Sequence, residues 1–124
     1  MEKDFAPYEE SLALKELGFD EPCFKYIYVG DTGNNIDHYL EVVPSKAKNY
    51  NEDSLSISQP TFSQAFRWFR EKHGLVIVIK PIADKRLELG YNLTKNGLIM
   101  GAYTTYEKAE LACLKNLIEI SKNK

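Results

Sequence analysis

Tyr91-Asn92-Leu93-Thr94-Lys95-Asn96-Gly97-Leu98-Ile99-Met100-Gly101-Ala102-Tyr103 carries the strongest local structural signal in the chain. A two-residue type I′ turn needs positive φ at both central positions, which Asn tolerates and Gly prefers, so Asn96-Gly97 between apolar runs predicts a β-hairpin. Pairing away from that turn sets Leu93 opposite Met100 and Tyr91 opposite Ala102 on one face, with Leu89 extending it. Thr94 with Ile99, Asn92 with Gly101 and Gly90 with Tyr103 fall on the other. That second face is thin, which suits solvent or a closely approaching partner.

Upstream, Leu75-Val76-Ile77-Val78-Ile79-Lys80 is apolar on both faces and reads as a central strand covered on both sides, closed by Pro81. A short turn through Ala83-Asp84-Lys85 leads into the hairpin. Before it, Pro60 with Thr61 or Ser63 starts a helix that runs to His73 and stops at Gly74. Phe62, Ala65, Phe66, Phe69 and His73 share one stripe of that helix, the spacing of a core face. Downstream, Thr104-x-x-Glu107 has the form of a capping box and opens a last helix from Thr105 to about Ser121. The apolar residues of this helix form two stripes about 110° apart at 3.6 residues per turn. Tyr106, Ala109, Cys113, Leu117 and Ile120 make one stripe, and Leu111, Leu114 and Ile118 the other. One sheet face covers one stripe, so the second needs the N-terminal helix or, as the alternative, a second copy of the chain.

In the N-terminal half, Pro7 opens a helix over residues 8–17, with Glu9 and Glu10 at its positive end and Gly18 as its stop. The runs 24–29 and 36–43 predict a hairpin across Gly30-Asp31-Thr32-Gly33-Asn34-Asn35. Residues 44–59 are rich in Ser, Asn and Lys, with Tyr50, Leu55 and Ile57 as anchors, and read as a mobile surface connection. The expected fold class is therefore α+β in the order α-β-β-α-β-β-β-α. It has an antiparallel sheet with helices mainly on one face, in a single domain of 124 residues.

Bulk properties bound the function. With 44% hydrophobic and 27% charged residues, eight Tyr, six Phe and one Trp, the chain has material for a core. Sixteen basic and 18 acidic residues leave a net charge of −2, which supplies no global field for phosphate backbones or anionic lipid. The absence of a long apolar run or an apolar leader core predicts no membrane association and a cytoplasmic location. Cys23 and Cys113, far apart in sequence, read as two reduced thiols.

Chemistry-bearing residues do not converge. His38 and His73 are 35 residues apart, and neither has a metal-site spacing. His73 continues a core stripe. The 30–35 loop has two glycines but not the lysine of a phosphate loop, and Asp31, Asn35 and Asp37 do not follow calcium-loop spacing. There is no Gly-x-Ser-x-Gly elbow. No catalytic residue, metal ligand or cofactor is implied, and the expectation is a non-enzyme. The enzymatic alternative requires folding to bring His38 or His73 next to carboxylates.

Binding is the remaining class. Trp68 lies about 120° from the core stripe, and Arg67 and Arg70 project to the opposite flank, in residue types enriched at interaction hot spots. Either Trp68 packs beneath the 44–59 connection or it contacts a partner. Together with Leu111, Leu114 and Ile118 on the surplus helix stripe, these residues define the candidate binding surface.

Tyr8 to Cys23, Gln64 to Lys72 and Thr105 to Ile120, about a third of the chain, resemble a small uncharacterised protein family of gut Bacteroidetes and their phages and prophages. The family has no assigned activity, so the resemblance implies a phage or mobile-element accessory protein and no particular catalytic residue. The C-terminal order of helix, three antiparallel strands and helix is also similar to that of double-stranded-RNA-binding domains. Those domains grip phosphates with a lysine cluster at the start of the last helix. Here Thr104-Thr105-Tyr106-Glu107-Lys108-Ala109-Glu110 sets two carboxylates beside one lysine, so the likeness extends to topology, and a double-stranded-RNA-binding-like function is the least favoured alternative. The leading expectation is a protein-contact module. The alternative is a small-ligand or nucleotide-binding protein, such as a sponge for a host defence signal, using Arg67, Arg70 and the tyrosine-rich first hairpin.

Overall fold

Pro7, extended at φ −65°, leads directly into α1 (Tyr8–Glu16), and Gly18 at φ +93° ends it, as the residue types require. The computed structural model describes residues 4–29, 40–83 and 89–123, with the backbone alone for Ala83 and Leu89. The 30–35 loop, Asp37 and His38, and the 84–88 turn lie outside the described residues. The chain is mixed α+β in the expected order, with one further short strand, and it divides into two compact units, Met1–Thr61 and Phe62–Lys124.

In the first unit, α1 accompanies a three-stranded antiparallel sheet of β1 (Tyr26–Tyr28), β2 (Leu40–Val42) and β3 (Ser56–Ser58), in the order β2-β1-β3. Ile27 sits at its centre, opposite Glu41 and Ile57. Leu14, Phe19, Cys23, Ile27 and Ile57 are buried here. Strand β3 was not expected, because it lies in the polar stretch read as a mobile connection. The polar residues there bond to the backbone instead. Asn49 Oδ1 accepts from Asn51 N at 3.0 Å, which shapes a 3₁₀ turn at Tyr50–Glu52. Asn51 Oδ1 accepts from Ser58 N at 2.8 Å and its Nδ2 donates to the Phe19 carbonyl at 2.9 Å. Lys15 Nζ on α1 donates to the carbonyls of Asp53 and Ser56, at 3.0 and 2.6 Å. A Ser/Asn-rich stretch is ordered when its side chains satisfy the backbone in this way.

The second unit runs α2 (Phe62–His73), β4 (Val78–Ala83), β5 (Leu89–Lys95), β6 (Leu98–Tyr103) and α3 (Tyr106–Lys122). Gly74 at φ +65° stops α2, while Asn96 and Gly97, at φ 54° and 82°, make the turn their sequence predicts. The sheet order is β4-β5-β6, so β5 is central and β4 is an edge strand, contrary to the expectation from its apolar run. Pro81 does not close β4 but lies inside it, paired with Tyr91. Only an edge strand accommodates a proline in that way, because one side of its ladder needs no donor. Leu93, fully buried, anchors the sheet face that α3 covers, and Tyr91 meets Tyr106 of α3 edge-on at a ring separation of 5.5 Å.

Two expected details shift by one residue. Past Thr94–Ile99 the hairpin slips, so that Leu93 faces Gly101, Asn92 faces Ala102 and Tyr91 faces Tyr103. Met100 is the extra residue of a β-bulge, which regular pairing from the turn does not reveal. The cap of α3 is Thr105 rather than Thr104, with its hydroxyl accepting from Lys108 N at 3.2 Å. Three residues after this cap stands Lys108, which cannot return a bond as a glutamate does, so the reciprocal box is not formed.

Candidate interaction surface

The second stripe of α3 is not a free surface. Leu114 is fully buried, Ile118 is 5% exposed and Leu111 is half-buried, because α3 lies against α2 as well as the sheet. Trp68 is also corrected from interface to core at 3% exposure, edge-on to Phe69 at 5.1 Å and to His73 at 4.9 Å. The buried arc of α2 takes in Phe62, Ala65, Trp68 and Phe69, wider than the stripe read from spacing. Arg67 and Arg70 are exposed.

Reactive chemistry is equally sparse among the described residues. Cys23 and Cys113 are free and buried, and burial pushes each thiol up to about 12. A thiol so shifted is neither a nucleophile nor a ready metal ligand at neutral pH. No group of three His, Cys, Asp or Glu side chains gathers to hold a metal among the described residues. No helix there is long and apolar enough to cross a membrane. Lys25, nearly buried, is committed to Glu41 at 3.5 Å and lies 5.1 Å from the Phe5 ring centre.

Two surface features stand out, one in each unit. In the first, Tyr26 of β1 stacks on Tyr50 of the 3₁₀ turn, with ring centres 4.1 Å apart and planes 20° from parallel. Lys48 Nζ stands 5.6 Å from the centre of the Tyr50 ring, and the Tyr50 hydroxyl donates to the Lys46 carbonyl at 2.7 Å. Around them lies an open cleft of about 340 Å³, lined also by Asn49, Glu52, Asp53 and Ser56. The volume is at the lower end of that of small-molecule sites. Burial and the neighbouring Tyr26 raise the Tyr50 phenol above its ordinary value.

In the second unit, the sheet face away from α3 carries the rows Val78–Thr94–Ile99 and Lys80–Asn92–Ala102. Ile99 is 67% exposed and Val78 45%, while Leu98, next to the turn and on the other face, is 73% exposed. Met100, on β6, and Val76, before β4, are exposed as well. Strand β6 also ends the sheet, so the outer edge of its backbone has no strand partner among the described residues. Sequence reasoning recognised this face as thin but selected neither Ile99 on it nor the exposed Leu98 beside it. The alternation around Asn96-Gly97 marks them as strand residues without showing which positions the helices cover.

Comparison of the chain with protein-family models, with curated proteins and with solved structures gave no match.

Proposed function

We propose that the protein is a non-enzymatic binding module that acts by protein–protein contact through the exposed apolar end of the β4–β5–β6 sheet. The supporting observation is the exposure of Leu98, Ile99 and Met100 together on one strand, with Val78 beside Ile99. Exposed apolar side chains scattered singly are ordinary, whereas a contiguous cluster marks a contact surface. The resemblance of three sequence blocks to proteins of gut Bacteroidetes and their phages gives the module a setting as a phage or prophage accessory protein. Affinity capture from host lysate with the native chain and with Ile99→Lys tests the reading. The expected result is a reproducible partner recovered by the native chain and lost with the variant. Equal recovery by both would contradict it.

A second reading, small-ligand or nucleotide binding, is favoured by the Tyr26–Tyr50 stack and Lys48 at the mouth of a cleft. Aromatic faces and an ammonium group suit a planar ring that carries negative charge. Thermal-shift screening against nucleotides should then give a stabilisation that Lys48→Ala removes. A flat response across the panel would sink this reading.

A further inference from the structure

The two edges of the second unit's sheet are built differently. Along β4, Pro81 and Lys80 interrupt the edge with a missing donor and a charge, the usual devices against strand addition. Along β6, Leu98-Ile99-Met100-Gly101-Ala102-Tyr103 holds no charge and no proline, in a chain of which 27% is charged. The bulge at Met100 has a geometric consequence. In a regular strand, residues 99 and 102 point to opposite faces. Here Ile99 pairs with Thr94 and Ala102 with Asn92, so both lie on the face away from α3, while Leu98 and Tyr103, paired with Lys95 and Tyr91, lie on the other. The Lys95–Leu98 pair closes the two-residue turn, and alternation along the ladder then directs the backbone N–H and C=O of Ile99 and Ala102 outward.

From this we propose that β6 pairs antiparallel with β6 of a second copy of this chain, about a two-fold axis at Met100–Gly101. The inference rests on the protein-contact reading above and assigns the backbone edge of that surface to a second copy. In that register Ile99 faces the partner's Ala102 and Leu98 faces the partner's Tyr103, so large residues meet smaller or flat ones and each pair shares a face. The outward groups of Ile99 and of the partner's Ala102 exchange hydrogen bonds, and the two-fold repeats the exchange. The pairing selects a copy of this strand as occupant, because Ile99 and Ala102 lie symmetrically about Met100–Gly101 and a two-fold brings the outward groups of each onto those of the other. An uncharged strand also meets its own copy without like-charge contact. The two-fold closes the contact, which leaves a dimer and not a fibre. A six-residue strand spans roughly 20 Å, an interface at the low end of the specific range, so the dimer forms in a concentration-dependent way.

Sedimentation equilibrium of the full chain from about 10 μM to about 1 mM covers the range in which an interface below ~1,200 Å² becomes populated. The weight-average mass is expected to rise from 14.2 kDa towards twice that value. Ile99→Lys and Ala102→Pro should each hold it at one chain, with far-UV circular dichroism unchanged. Ile99 is two-thirds exposed, and the Ala102 N–H is not used by β5. A Val43→Lys control on an exposed site of the first unit should still dimerise. One chain at every concentration, a dimer that survives both variants, or open-ended growth beyond two chains overturns the proposal. Each of those outcomes concerns the copy as partner and leaves the contact reading to the lysate comparison, where Ile99→Lys is scored on a different protein.

Discussion

Trp68 shows where a single side chain misleads. Trp beside two arginines on the flank of a helix suggests a hot spot, yet the ring is buried against Phe69 and His73. Trp68→Ala should therefore cost about 3–5 kcal/mol of stability, the usual loss for a large buried aromatic. Arg70→Ala, on an exposed residue, should stay within about 0.5 kcal/mol. Urea unfolding of both variants makes the comparison, and a Trp68→Ala domain as stable as the native one would return Trp68 to the surface. The cysteines were legible as small apolar residues, and their burial carries a pH prediction. Each thiol is raised from its ordinary 9.0 to about 12, principally by burial. Between those values the unfolded chain ionises while the folded one holds its protons, so stability is fully present below pH 9 and falls as pH rises towards 12. Thermal melts in borate and carbonate buffers should show that decline, and Cys113→Ser should lessen its slope.

At the scale of elements, the helices were legible because their signals are local: Pro7, Gly18 and Gly74 delimit two of them, and Asn96-Gly97 delimits the hairpin. Register, edge position and polar networks were not. The bulge at Met100 shifts the register between Leu93 and Thr94, and regular pairing counted from the turn does not register such an insertion. Strand β4 looks central because an apolar run has no way of recording which neighbour is missing. The cap of α3 can be settled by a paired substitution. Thr105→Ala should cost about 1 kcal/mol and Thr104→Ala close to nothing, and chemical denaturation giving the reverse order would restore Thr104 as the cap. In the first unit, Asn51 joins Ser58 to Phe19 through two hydrogen bonds. Asn51→Ala leaves a backbone donor and acceptor without that partner, at about 1–3 kcal/mol. Proteolysis within residues 44–59 should accelerate accordingly, and an unchanged cleavage rate would mean that the network does not order the segment.

At the scale of the whole chain, a net charge of −2 is too small to steer the protein towards a polyanion. What separates this surface from an ordinary one is an uncharged strand at the end of a sheet, exposed over Leu98, Ile99 and Met100. The dimer account stands on that edge being open in the isolated chain and closed in association. Residue-resolved amide hydrogen exchange, followed as protein concentration rises, reads both conditions. In dilute solution the Ile99 and Ala102 amides should exchange freely while that of Leu93 is protected, and their protection should grow with concentration. Full protection of Ile99 and Ala102 at the lowest concentration, or none at the highest, would contradict the account.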